Sequence, residues 1–423
     1  MSGYKICIIG LGYVGLPLAR LFSTKYHTIG YDTNTQRISE IQSGYDANME
    51  LSQSIILDAI DSHKLECTSN INDIRSCNIY IVTVPTPTNI DNTPNLNPLF
   101  KASETVGQVI SKGDIVIYES TVYPGVTEEE CIPIIERISG LKYNIDFFAG
   151  YSPERINPGD KEHTVEKIRK ITSGSTPEIA DIIDNLYNSV LENGTHKAPS
   201  IKIAEGAKII ENAQRDVNIA FMNEVAKIFN AMGIDTKDVL DAASSKWNFI
   251  RMYPGLVGGH CISIDPYYLI EKAKLYGIMP HILQSARKLN DNMGTYVAKQ
   301  TIECMNKKGI LIKDAKILIL GITFKKNCPD IRNTKVVDIY YTLNEYTNNI
   351  TIYDPWASRD IVLKEYNIEI CSTLATDIRY DAIIHAVAHD TFSNINLKSL
   401  LSDNAVVYDV CSTLPRDIVD ARL

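Results

Sequence analysis

Lys5-Ile6-Cys7-Ile8-Ile9-Gly10-Leu11-Gly12-Tyr13-Val14-Gly15 is the stretch that decides the fold of this chain. Its apolar run reads as a buried strand, and its glycines as a turn into a helix from about Gly15 to Lys25. Gly10 permits the tight turn, Gly12 lets a pyrophosphate approach the backbone, and Gly15 lets helix and strand pack closely. The helix N-terminus then faces the phosphates. A second strand, His27–Tyr31, ends at Asp32, about 20 residues past the glycines, where a carboxylate binds ribose hydroxyls and repels a 2′-phosphate. NAD is expected over NADP, with Arg37 as the nearby cation that could favour the phosphate instead.

Working outward, strands are expected at Ile79–Val84, Ile115–Tyr118 and Phe147–Gly150, separated by helical stretches. That alternation implies a parallel, doubly wound sheet. From Ile203 to Met232 the apolar residues recur near a 3.6-residue period, without proline. A helix of about 28 residues would run about 42 Å, longer than one small domain, and so would link two lobes. Met279 to Lys307 reads as further helix. Lys316–Gly321 then opens a second α/β unit, with strands at Ile350–Tyr353, Asp381–Val387 and Ala405–Val410. This unit lacks Gly-x-Gly-x-x-Gly and need not bind a second dinucleotide. The expected fold class is α/β, two such domains joined by a long central helix. The divisions are 1–198, 199–308 and 309–423.

The chain of 423 residues is long enough for two or three domains, and 44% hydrophobic residues is ordinary for a globular protein. A net charge of -9 argues against nucleic-acid and anionic-membrane surfaces. Nine scattered cysteines without a Cys-x-x-Cys pair fit free thiols in a reducing cytosol. No signal peptide is visible, and no apolar stretch reaches the roughly 20 residues that span a bilayer. A cytoplasmic protein is expected.

Cys261, in Gly258-Gly259-His260-Cys261-Ile262-Ser263-Ile264-Asp265-Pro266, is the chemically telling residue. An alcohol oxidation needs one hydride transfer and no covalent step. A nucleophilic thiol added to a nicotinamide site points to oxidation past the aldehyde, through a thiohemiacetal and a thioester. A buried, inert thiol is the plain alternative. Asp265 could orient or deprotonate a water. His260 is adjacent to the thiol, but neighbouring residues point in different directions. Lys208 and Asn212 lie one turn apart on the long helix. They form either a functional pair or a solvated face with Glu211 and Arg215. Lys-x-x-x-Asn also serves β-hydroxyacid dehydrogenases, which oxidise in a single step. His385 and His389 lack a third ligand at metal-binding spacing, so no metal site is expected.

The motifs together resemble the UDP-sugar 6-dehydrogenases, the family of UDP-glucose dehydrogenase. They are Gly10–Gly15, Val84-Pro85-Thr86-Pro87-Thr88, Glu119-Ser120-Thr121-Val122, Ser152-Pro153-Glu154-Arg155, Lys208 with Asn212, Gly258–Cys261 with Asp265, and Gly321-Ile322-Thr323-Phe324-Lys325-Lys326-Asn327 with Asp330 and Arg332. Lys246–Phe249 and Tyr253–Cys261 are similar to the branch acting on UDP-N-acetylhexosamines. UDP-GlcNAc comes first, with UDP-GalNAc and UDP-glucose as alternatives. Relatives acting on UDP-glucose often carry a second glutamate where this chain has Pro158.

The resemblance implies a role for each motif. Gly10, Leu11, Gly12, Tyr13, Val14, Gly15, Asp32 and Arg37 would hold the adenosine half of NAD. Val84, Pro85, Thr86, Pro87, Thr88, Ser120 and Thr121 would line its other half, with Arg332 near the phosphates. Cys261 would be the nucleophile, with Lys208 and Asn212 at the oxyanion. Asp265 would orient the thiol and the hydrolytic water, supported by Thr121 and Glu154. Glu154, Arg155, Ile156, Asn157, Pro158, Met252, Tyr253, Pro254, Gly255, Gly258, Phe324 and Lys325, together with Lys208 and Asn212, would bind the UDP-sugar. The resemblance further implies an N-terminal Rossmann-type NAD domain, a C-terminal Rossmann-like UDP domain, and a homodimer, or a higher homo-oligomer, built on the long helix. The product would serve a surface polysaccharide such as capsule or O-antigen.

Overall fold

The computed structural model describes residues 3–62, 64–89, 91–155, 164–259 and 261–423. They form two compact units, residues 1–211 with 267–277, and residues 212–266 with 278–423. The helix Ile201–Met232 runs unbroken from the first unit into the second.

The first unit is built on eight strands: β1 (Lys5–Ile9), β2 (His27–Tyr31), β3 (Leu65–Thr68), β4 (Ile79–Val82), β5 (Ile115–Tyr118), β6 (Phe148–Tyr151), β7 (Lys170–Gly174) and β8 (Thr195–Lys197). Their order is β3-β2-β1-β4-β5-β6-β7-β8. β4 and β5 are buried along their whole length. Helices cover both faces of such a sheet, so its central strands read as continuous apolar runs. The sheet is not wholly parallel as expected, because β7 runs antiparallel to β6. Reversed neighbours need no crossover helix, and no helix lies among the described residues between them.

The second unit holds β9 (Ile317–Leu320), β10 (Ile350–Tyr353), β11 (Tyr380–His385), β12 (Leu401–Asp409) and β13 (Ala421–Arg422), all parallel, in the order β10-β9-β11-β12-β13. Its core joins Ile317, Ile319, Ile384 and Val406 to Val297 and Ile302 from a covering helix. The segment expected as one helix from Met279 is two, His281–Asp291 and Met293–Lys307. At the break the Asn292 side chain takes the Lys288 carbonyl at 2.6 Å. Asparagine competes with the backbone ladder in this way. No helix among the described residues is long and apolar enough to cross a membrane.

Candidate active site

In the first unit the chain reverses at Gly10, whose φ is 95°. A Cβ on Gly15 would lie 1.8 Å from the Gly10 carbonyl oxygen, whereas one on Gly12 would meet nothing within 4 Å. Gly15 therefore closes helix onto strand, and Gly12 leaves open the space that a pyrophosphate needs. Asp32 stands at the end of β2, accepting from Leu11 N at 2.8 Å and Asn34 N at 2.9 Å. Its carboxylate is only partly buried and keeps acceptor capacity for a ribose.

Beside it a cleft of about 470 Å³ is lined by Gly10, Gly12, Asp32, Thr33, Val84 and Pro85, among others. Glycine turn, open backbone and carboxylate together fit NAD. Arg37 is buried, donating to Leu11 O at 2.9 Å and to Asp46 at 2.7 Å. A guanidinium so committed is poorly placed to receive a 2′-phosphate. Asn34 and Thr83 escaped the sequence reading. Asn34 caps the helix Thr35–Gln42 and Thr83 Oγ1 donates to Gly10 O at 2.7 Å. The capping preference of asparagine was the available signal for the first.

Most of the remaining first-unit residues follow the carboxyl ends of β4, β5 and β6. Ser120 Oγ donates to Val84 O at 2.6 Å, and Tyr268 hydroxyl to Pro87 O at 3.1 Å. Thr86 is buried, while Thr88 bridges Pro94. Thr121 is partly exposed, and Tyr13 and Val14 begin the turn into the first helix. Glu154 is buried, and its N–H donates to Glu119 O at 3.2 Å. Arg155 pairs with Glu211 at 2.7 Å. Ile156, Asn157, Pro158 and His260 lie outside the described residues.

Lys208 and Asn212 are buried, at 4% and 7% exposure. They do not belong to a solvated face. One turn earlier Glu205, also buried, accepts from Gly125 N at 2.5 Å and Thr127 N at 2.9 Å. Burial lifts its carboxyl to about 7 against those two donors.

In the second unit Cys261 is partly exposed in a turn that leads into the helix Asp265–Leu275. Its carbonyl accepts from Asp265 N at 2.8 Å. Asn212 Nδ2 donates to Asp265 Oδ2 at 2.5 Å, so the long helix and the thiol turn are tied at one point. The preceding loop carries Met252, Tyr253, Pro254 and Gly255. Arg251 lies 5.2 Å from the Tyr253 ring, and Asn223 brackets the Gly255 peptide at 2.8 and 3.0 Å. A Cβ on Gly258 would come 2.8 Å from Asn333 O, and one on Gly259 2.8 Å from the Phe324 ring. The two glycines therefore let the loop lie directly on Phe324. None of the nine cysteines is in a disulfide.

Phe324 and Lys325 follow Gly321 at the carboxyl end of β9, next to β11, where the strand order reverses. Such a crevice is the usual ligand position of an open α/β sheet. Arg332 forks onto Asp330 at 2.5–3.1 Å. This unit repeats the geometry of the first. Gly321 has φ 91°, and Ile322 N donates to Asp354 at 2.7 Å as Leu11 N does to Asp32. Asp354, however, is fully buried and also accepts from Thr323 N, Trp356 N, Ala357 N and His389. Burial alone would raise its carboxyl, but His389 and the backbone donors outweigh it and hold it below the usual range. A carboxylate so occupied is not offered to a ribose. His385 is likewise paired, with Asp409 at 3.0 Å. Among the described residues no group of three or more His, Cys, Asp or Glu could hold a metal.

A dinucleotide cleft in one unit, and a thiol turn with a nucleotide-type crevice in the other, define an NAD-dependent oxidoreductase. The comparisons agree. The UDP-glucose/GDP-mannose dehydrogenase family matches with its NAD binding domain over residues 4–191, its central domain over 202–292 and its UDP binding domain over 318–416. The chain belongs to this family. It is 53% identical to a UDP-N-acetyl-D-glucosamine 6-dehydrogenase of Pseudomonas aeruginosa over 100% of both chains. It is 52% identical to the Salmonella typhi protein of the same name, over 99% of this chain and 98% of that one. Among solved structures, a UDP-D-ManNAc dehydrogenase from Pyrococcus horikoshii superposes with a TM-score of 0.90 at 28% identity, covering 99% and 98% of the two chains.

Proposed function

We propose that this protein oxidises the C6 hydroxymethyl of UDP-N-acetylglucosamine to the uronic acid. The observation that carries the reading is full-length 53% identity to an enzyme of that name, supported by an Asp265 that bonds through its N–H to the Cys261 carbonyl and through its carboxylate to Asn212. Bound NAD supplies a hydride acceptor in each of two rounds. Per sugar, one CH2OH, two NAD⁺ and one water give one carboxylate, two NADH and three protons. The single-step dehydrogenase reading leaves Cys261 without a role.

In this reading Lys208 opposes negative charge building on the C6 oxygen, and Asn212 assists it. Cys261 attacks the aldehyde and then carries the acyl group as a thioester. Asp265 orients the thiol and the hydrolytic water, with Thr121 and Glu154 on that water. Phe324, Lys325, Glu154, Arg155 and the loop Met252–Gly258 take the UDP-sugar. Residues 1–198 form the NAD domain, 199–308 the central domain and 309–423 the UDP domain. A homodimer is supported by the long helix, where Ile203, Ile210, Phe221, Ile228 and Met232 are 49–63% exposed along one stripe. A monomer would leave that apolar stripe in water. The protein would work in the cytoplasm and feed a surface polysaccharide, capsule or O-antigen.

A panel of UDP-sugars with NADH detection tests the reading. Two NADH per UDP-GlcNAc, and the highest kcat/KM for that sugar, are expected, with both lost in Cys261→Ser. One NADH per sugar, or a higher kcat/KM for UDP-glucose, would overturn it.

A further inference from the structure

Glu119 and Lys170 form an ion pair at 2.6 Å, each residue 1% exposed, that the reaction scheme above does not use. Three elements meet there. Glu119 is the residue after β5, Lys170 opens β7, and Tyr187, from the helix Pro177–Asn188, donates its hydroxyl to the other Glu119 oxygen. The Lys170 ammonium also lies 5.5 Å from the Tyr187 ring centroid and donates to Pro153 O at 3.2 Å. Pro153 immediately precedes Glu154, and Glu119 is two residues from Thr121. The backbone continues the ties. Glu154 N donates to Glu119 O at 3.2 Å, Ser152 N to Tyr118 O at 2.9 Å, and Tyr151 hydroxyl to Ser120 O at 3.1 Å.

Stability alone does not account for a buried ion pair. Well-packed apolar residues of similar volume generally serve as well or better, because desolvation offsets the Coulomb attraction. An apolar pair could not supply the third bond. An ammonium has three donors and can bind a carboxylate, a carbonyl and a ring face together. The strand ends bearing Thr121 and Glu154 are thereby fixed against each other through one cation.

We infer that Glu119 and Lys170 are positioning residues for the hydrolytic half of the reaction, holding Thr121 and Glu154 in register for attack of water on the Cys261 thioester. The inference rests on the proposed function, in which those two residues serve that water. The hydride steps turn on Lys208, Asn212 and Cys261, while Thr121 and Glu154 only line the NAD and sugar sites in them, so a loosened register slows hydrolysis more than hydride transfer.

The test is Glu119→Gln with Lys170→Met, which removes both charges at once and keeps a carbonyl oxygen at position 119 to accept from Tyr187. Single-turnover reactions with NAD and UDP-GlcNAc are followed by NADH absorbance and, after acid quench, by intact mass of the acyl-Cys261 adduct. NADH formation within about threefold of wild type and adduct decay slowed at least roughly tenfold are expected, the size of effect that a misplaced reacting group produces. Adduct decay at the wild-type rate, or equal slowing of both phases, overturns the inference. Tyr187→Phe, which keeps the pair and loses one bond to it, covers the case in which the double variant does not fold. Slowed adduct decay with normal NADH formation is again expected, and unchanged decay overturns the inference. A wild-type protein that forms no adduct and yields other than two NADH per sugar would instead refute the proposed function.

Discussion

Asn212 donates its carboxamide to the Asp265 carboxylate across 2.5 Å, with both side chains buried. The two residues are far apart in sequence, one on the long helix and one at the start of the helix after the thiol turn. Because Asp265 N also donates to Cys261 O, a shift of the carboxylate is a shift of the thiol turn. Asn212→Ala removes that donor from a buried charge, a change that typically costs about 1–3 kcal/mol. A fall in kcat of roughly tenfold to hundredfold is expected if the cost appears in the transition state. Steady-state kinetics with UDP-GlcNAc check it. An unchanged kcat would make the contact purely structural.

Lys208 lies one turn from Asn212 and is equally buried. In the proposed mechanism its charge is needed most when an oxyanion develops, so its loss should fall on kcat. Lys208→Ala should bind UDP-GlcNAc with at most modest weakening and turn over on the order of 10²–10³-fold more slowly. Calorimetric binding paired with kinetics decides the matter. Near-normal kcat with a greatly raised KM would place Lys208 in ground-state binding.

Asp32 accepts from Leu11 N and has acceptor capacity left for a ribose. Hydrogen bonds to a charged group are worth about 1.5–3 kcal/mol. Asp32→Ala should therefore lower kcat/KM for NAD roughly tenfold to hundredfold and raise the ratio of NADP to NAD activity. Arg37 stays committed to Leu11 and Asp46, so the variant should still not prefer NADP. A variant favouring NADP would show that Arg37 swings free.

Glu205 carries a pH dependence of known sign. Burial raises its carboxyl to about 7 in the fold, above its value in the unfolded chain. Its contribution is fully present below the unfolded pKa and is lost as pH rises through about 7. A shift of that size corresponds to about 3 kcal/mol. Glu205→Gln cannot ionise. Its melting temperature should approach that of the wild type near pH 5 and gain on it toward pH 8. A pH-independent difference between the two proteins would mean that Glu205 is already ionised at the acid end.

The sequence by itself determined what depends on neighbours along the chain. Gly10, Gly12 and Gly15 follow an apolar strand and precede a helix, and Asp32 closes the next strand. Each feature is local, so the dinucleotide turn was readable before any fold was known. The apolar period of residues 203–232 likewise gave the long helix. The reading was poorer where the decisive partner is remote. Spacing alone could not tell whether Lys208 and Asn212 face water, because that depends on what packs over the helix. Nor could it show that β7 runs antiparallel to β6, since short apolar runs carry no direction.

Tertiary structure alone decided the fates of the charged groups. Asp32 and Asp354 occupy the same place in two similar units, yet only Asp32 has acceptors to offer a ribose, because His389 and four backbone N–H groups close on Asp354. Glu119 stands in a sequence motif and Lys170 in none, and only the folded sheet brings them within 2.6 Å. The physical reason is that a side chain's chemistry is set by its solvent and its partners. Both are assembled from residues that only the folded chain brings together.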